Sequence, residues 1–234
     1  MKYKKILLKF SGEALLGNDN FGISPSAINL YVEEISEIHK LGIQIGIVVG
    51  GGNFYRGIQS EDTGITRISG DKIGMLATVM NAIALHDVFE KFGVDARVQA
   101  ASFMPQFAEI FTKEKAIKHL NKGRIVIFAA GTGNPFFTTD SAAALRAIEI
   151  EADILIKATN VDGVFDSDPK KNPNAKLFET ITFTDSIENK LRVMDLTAFT
   201  LCSENNIPIA VLNLHKKGNL MKFLNGEKIG TMIK

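Results

Sequence analysis

Short apolar runs bounded by glycine alternate along the chain with longer stretches whose apolar residues recur every three or four positions. The first pattern predicts strands buried on both faces and the second predicts amphipathic helices. Strands are expected at 5–10, 43–49, 96–99, 124–130, 153–157 and 208–212, with a closing strand at 230–233. Ile28, Val32, Ile35 and Ile38 form the stripe of a first helix, opened by Ser24-Pro25 and ended by Gly42. A second stripe, Met75, Val79, Ile83 and His86, predicts a helix over 71–91 that starts at Asp71. Pro105 and Thr112 read as further helix starts, and helices are expected over 141–150, 196–205 and 220–224. Residues 58–69 read as irregular, 166–175 as an exposed loop, and Asp162-Gly163 as a hairpin turn. Regular alternation of this kind defines an α/β protein, with a mostly parallel sheet and helices on both faces. The chain reads as one domain without repeats, and the loop near Asp166 is its one candidate internal boundary.

In open sheets of this type, ligands gather beyond the carboxyl ends of the strands. Four loops lie at such ends: Ser11-Gly12, 50–56, 131–140 and 158–165. The second contains Gly50-Gly51-Gly52 and, shortly after, Arg56. One glycine would serve a tight strand–helix turn. Three allow successive backbone N–H groups to approach an anion, and an arginine fork suits phosphate. Lys9 and Lys157 each sit at a strand end, where a lysine can face solvent from an edge strand or contact a phosphate. The place of Lys9 beside Ser11-Gly12 favours phosphate, and two such lysines could neutralise a transferring phosphoryl group from both sides. Asp140 and Asp195 each begin a helix, which suits N-capping as well as catalysis. Thr138 and Thr139 could cap or bind a ligand. His39, His86, His119 and His215 show no ligand spacing and read as structural, and Met75, Met80 and Met104 read as core fillers.

Composition narrows the classes. The chain has 234 residues, 45% apolar and 23% charged, and 27 basic against 26 acidic residues leave a net charge of +1. No broad surface for nucleic acid is implied. Cys202 is the single cysteine, so cysteine-cluster metal sites are excluded and a reducing compartment fits. Neither a signal peptide nor an apolar window of membrane-spanning length is expected. A Walker A loop and a G-x-G-x-x-G fingerprint are both absent, so any nucleotide would need another cradle.

Lys9-Phe10-Ser11-Gly12-Glu13-Ala14-Leu15, Gly50-Gly51-Gly52-Asn53, Gly70-Asp71 and Gly74-Met75-Leu76-Ala77-Thr78-Val79-Met80-Asn81 resemble the bacterial uridylate kinase (UMP kinase) family. So do Gly131-Thr132-Gly133-Asn134-Pro135-Phe136-Phe137-Thr138-Thr139-Asp140, Lys157-Ala158-Thr159, Val161-Asp162-Gly163-Val164-Phe165 and Val193-Met194-Asp195-Leu196. The likeness spans nearly the full chain. The run from Gly131 is its most specific part, whereas the three glycines and Asn53 are shared more widely among amino-acid kinases. It implies the three-layer α/β/α amino-acid-kinase sandwich, with acceptor binding within roughly 1–150 and ATP binding within roughly 151–234. The implied reaction is reversible transfer of the ATP γ-phosphoryl group to UMP, with Mg²⁺, in pyrimidine nucleotide synthesis in the cytoplasm.

By the same resemblance Lys9, Phe10, Ser11, Gly12, Gly52 and Arg56 would hold ATP phosphates, and Thr159, Asn160, Phe165 and Asp168 would surround the adenosine. Gly51, Asp71, Thr132, Gly133, Asn134, Pro135, Phe136, Phe137, Thr138 and Thr139 would hold UMP, with Asp71 on the ribose. Lys9, Lys157, Asp140 and Asp195 would be catalytic. Gly17, Asn18, Asp19, Asn20, Phe21 and Gly22 match a loop linked in some members to activation by GTP. A homohexamer and feedback inhibition by UTP are also implied. Two other classes compete: a kinase acting on a small carboxylate or carbamate, and a nucleotide sensor without turnover. The ribose-binding Asp71 argues against the first, and the joint presence of Lys9, Lys157, Asp140 and Asp195 against the second.

Overall fold

The computed structural model describes residues 2–55, 64–169, 171–189, 191 and 193–234. The first strand, β1 (Lys5–Phe10), lies in the middle of the sheet rather than at its edge. It pairs in parallel with β2 (Gln44–Val49) on one side and with β6 (Ile154–Thr159) on the other. Beyond β2 come β5 (Ile125–Ala129), β3 (Ala96–Ala100) and the short β4 (Glu109–Ile110). Beyond β6 come β8 (Ile209–Asn213), β9 (Thr231–Ile233) and β7 (Thr180–Ile181). Among the described residues, the pairings of these strands are parallel except β8 with β9.

Side chains alternate across this sheet, and the alternation builds two cores. Ile6, Leu8 and Phe10 of β1 face one layer, made by α1 (Pro25–His39), α2 (Arg67–Lys91) and α7 (Asn219–Leu224). Leu7 faces the other, made by α3 (Lys113–Asn121), α4 (Thr139–Glu149) and α6 (Leu196–Glu204). The three-layer sandwich is therefore present. A small helix, α5 (Phe183–Glu188), and the strands β4 and β7 are too short to carry a periodic signal.

Several expectations are corrected. Helix α2 begins at Arg67, capped by the Thr66 hydroxyl on the Ser69 N–H, so Asp71 lies inside it and 66–69 is not irregular. Its buried face runs through Thr78, Ala82, Leu85 and Phe89 and packs on β3 and β5. The expected stripe is out of phase: Val79 is buried, but Met80 and Ile83 are exposed, together with Ile73 and Leu76. Met80 is thus no core filler. Apolar residues on two faces also make α2 long and apolar enough to span a membrane by length and composition alone.

Pro105 opens only a turn, in which Phe107 N–H and Ala108 N–H both donate to the Met104 carbonyl, and β4 follows directly. Ser24 is the N-cap of α1 by position but caps nothing with its side chain, which bonds Ser26 Oγ instead. Asp162-Gly163 closes no hairpin, because β6 has parallel partners on both sides. The Asp162 carboxylate accepts from Asn213 Nδ2 (2.9 Å) and Lys216 Nζ (2.8 Å), pinning the turn to the end of β8 and the segment after it.

Candidate active site

Lys9 and Lys157 are register partners on the adjacent strands β1 and β6. Both occupy odd positions, so both face the α4 layer. Two ammonium groups side by side on a sheet repel, and an anion between them relieves this. Asp140 supplies it from the first turn of α4, with Oδ1 2.6 Å from Lys9 Nζ and Oδ2 2.7 Å from Lys157 Nζ. Lys157 also donates to the Val193 carbonyl. Lys9 therefore does not face solvent from an edge; it is 7% exposed at the centre of the sheet.

Burial alone would raise the Asp140 pKa, but the charges of Lys9 and Lys157 outweigh it and hold the carboxyl below the usual range. Burial lowers the Lys157 pKa, assisted by Lys9 and opposed by Asp140. Two cations and one anion leave one positive charge, suited to a phosphate. The N-terminus of α4 points its free N–H groups into the same region, and Thr138 caps it by accepting from Asp140 N–H and Ser141 N–H.

Asp195 has a different position. Its carboxylate accepts from Thr138 Oγ1, from Ser141 Oγ at 3.0 Å and from Ala198 N–H at 2.9 Å. It caps α6 and ties that helix to the start of α4, and it makes no direct ion pair with either lysine. Its charge still reaches Lys157, where it opposes in small part the lowering of that pKa by burial.

Three cavities surround this cluster. One of about 590 Å³ is lined by Lys9, Ser11, Glu13, Gly17, Asp19, Lys157, Asn160 and His215. It meets a second, of about 550 Å³, at Thr159; Phe165, Asp168, Val193 and Val211 line that one. A third, of about 230 Å³, is lined by Gly51, Asp71, Met75, Thr132, Asn134, Phe137, Thr138 and Thr139. Asp71 is held there by both carboxylate oxygens on Arg67 Nε (3.0 Å each), and it accepts from Phe136 N–H at 2.7 Å.

The loop after β5 is bent to fit. Ala130 and Phe136 adopt left-handed backbone (φ 60° and 72°), which costs an L-residue about 1–2 kcal/mol. The buried Thr78 hydroxyl offsets part of this by accepting from Ala130 N–H at 2.8 Å. Gly133 lies so close to the 101 carbonyl that an added Cβ would sit 3.0 Å from it.

Not all the expected residues meet here. The Phe10 ring is fully buried and stacks on Tyr31 at 5.4 Å, so only its backbone borders the site. Phe136 is exposed beneath the Arg67 guanidinium, and Pro135 and Phe136 do not line the third cavity. Arg56 lies outside the described residues. Of the 17–22 loop, Gly17 and Asp19 line the same cavity as the lysines. His215, expected to be structural, also lines that cavity, beside Tyr31.

Among the described residues no cluster of three or more His, Cys, Asp or Glu could form a metal cage. Asp140 is neutralised by two lysines and Asp195 is engaged by α4 and α6. Neither carboxylate is therefore an uncommitted metal ligand.

The fold and this lysine-based cradle define a class, and the chain belongs to it: the amino acid kinase family, whose model matches residues 4–213. Among solved structures, the chain is similar to the UMP kinase from Bacillus anthracis (37% identity, TM-score 0.98, 100% of this chain and 97% of that one). It is also similar to the UMP kinase from Ureaplasma parvum, with 39% identity, TM-score 0.95 and full coverage of both chains. The uridylate kinase from Archaeoglobus fulgidus is more distant, at 28% identity and TM-score 0.74 over 98% of this chain and 99% of that one.

Proposed function

We propose that the protein is a UMP kinase, transferring the γ-phosphoryl group of ATP to UMP to give UDP and ADP. The observation that carries this is the pair Lys9 and Lys157, in register and bridged by Asp140, between a two-part cavity sized for a nucleoside triphosphate and a smaller one holding Asp71. Full-length likeness to two UMP kinases supports the choice of acceptor.

In this reading residues within roughly 151–234 hold ATP and residues within roughly 1–150 hold UMP. Adenosine lies between Phe165, Thr159 and Asp168, and its phosphates lie over Lys9, Ser11, Gly12 and Gly52. The UMP ribose bonds Asp71, and its base and phosphate lie along 132–139 and Gly51. A UMP phosphate oxygen attacks the γ-phosphorus in line. A new P–O bond forms as the bond to the β,γ-bridging oxygen breaks, and ADP departs with the electron pair. The attacking phosphate is already ionised, so no general base is needed. Lys9 and Lys157 neutralise the equatorial oxygens, Asp140 holds both lysines in place, and Asp195 holds the start of α4. Mg²⁺ bound to ATP supplies further charge neutralisation.

The family resemblance extends the proposal to pyrimidine nucleotide synthesis, a cytoplasmic location, inhibition by UTP, an effect of GTP through 17–22, and a homohexamer. The exposed apolar stripe of Ile73, Leu76, Met80 and Ile83 on α2 supports self-association. A coupled assay offering UMP, CMP, dUMP and acetylglutamate with ATP and Mg²⁺ tests the function, and turnover is expected with UMP foremost. Lys9→Ala should lower kcat by about 10²–10³. Turnover of acetylglutamate but not UMP would reject the proposal.

A further inference from the structure

Within the glycine turn after β2, Phe54 N–H and Tyr55 N–H both donate to the Gly51 carbonyl (3.0 Å each). Asn53, in that turn, and Asn81, on α2, are both buried and form a reciprocal amide pair. Asn53 Nδ2 donates to Asn81 Oδ1 at 2.8 Å, and Asn81 Nδ2 donates to Asn53 Oδ1 at 2.7 Å. Each amide has one N–H left. That of Asn81 goes to the Gly50 carbonyl (2.7 Å), and that of Asn53 goes to the Gly22 carbonyl (2.9 Å). Gly22 N–H returns a bond to the Asn53 carbonyl at 3.1 Å. The turn after β1 passes close to the same pair, since a Cβ on Gly12 would lie 2.4 Å from Asn53 Oδ1.

We infer that Asn53 and Asn81 are positioning residues for phosphoryl transfer. They clamp the turn after β1, the turn after β2 and the 17–22 loop to α2, so that the two phosphates meet at a set distance. Burial makes the clamp stiff, because an unpaired amide there would be left unsatisfied. Neither side chain needs to touch a substrate. The inference rests on the phosphate-cradle reading above, and displacing either turn by about 1 Å would cost on the order of 10²-fold in rate.

The test compares wild type with Asn81→Leu and Asn53→Ala. UMP turnover by the wild type is measured first; its absence would defeat the proposed function, not this inference alone. In the variants kcat is expected to fall about 10²-fold. The ratio of UMP to uridine affinity should also fall at least fivefold, with uridine affinity itself unchanged. A merely structural pair would lower the melting temperature and leave that ratio as in wild type, which would overturn the inference. Should both variants fail to fold, the side-chain amide NMR signals of Asn53 and Asn81 in the wild type decide. They should shift on adding UMP and not on adding uridine; identical responses to both would overturn the inference.

Discussion

Replacing Asp140 by asparagine isolates the central electrostatic feature of the site. The substitution keeps the shape but removes the anion from between two buried ammonium groups, 2.6 and 2.7 Å from its oxygens. Those contacts and the width of a carboxylate place the two nitrogens roughly 6 Å apart. At an effective dielectric constant of about 20 their repulsion is about 3 kcal/mol. Breaking a buried ion pair from one side costs about 3–5 kcal/mol, so the two routes agree. Urea unfolding at pH 7 should therefore show a loss of about 3–5 kcal/mol. The loss should depend on pH. Burial and Lys9 already depress the Lys157 pKa, and without Asp140 it falls further. A lysine with a lowered folded pKa leaves the unfolded state binding more protons, so stability rises with pH up to the unfolded value near 10.5. The deficit should shrink between neutral pH and pH 10. The wild type also has an acid limb: the contribution of Asp140 is present above pH 3.8 and is lost as pH falls through its lowered pKa. A deficit below about 1 kcal/mol, with no narrowing toward pH 10, would match an exposed pair and refute the reasoning.

Glu34 on α1 accepts from Gly218 N–H and Leu220 N–H, and burial raises its pKa. Its contribution is full below pH 4.5 and fades as pH rises through the raised value, so Glu34→Gln should gain on wild type in thermal melts as pH climbs from 4 to 7. Thr78→Val leaves Ala130 N–H without its acceptor, and calorimetry should show a loss of about 1–3 kcal/mol with a raised KM for UMP. Gly51→Ala puts a methyl group 2.7 Å from the Gly74 carbonyl. It should displace the glycine turn from α2 and lower kcat, as read in the coupled assay.

The strands at 5–10, 43–49, 124–130 and 208–212 were legible because parallel strands covered on both faces are unbroken apolar runs. The phase of α2 was not, since Ile73, Leu76, Met80 and Ile83 add an apolar face that is exposed. Thr66 caps α2 without a capping box, so Asp71, a plausible cap, drew the boundary too late. Lys9 and Lys157 could be picked out from their places at strand ends. That they are register partners follows only from topology, as does the bridge from Asp140. The pairing of Asn53 with Asn81 left no trace in periodicity, because an asparagine after glycines reads simply as part of a turn.

Strand β1 is the seam of the molecule. A chain cut near residue 150 would yield one piece holding β4, β3, β5, β2 and β1 side by side, and another holding β6, β8, β9 and β7. The two raw edges match along a single parallel ladder in which residue 9 meets residue 157. Fragments expressed separately would therefore recover turnover only by zipping that ladder shut, and reconstitution of activity would report directly on strand association.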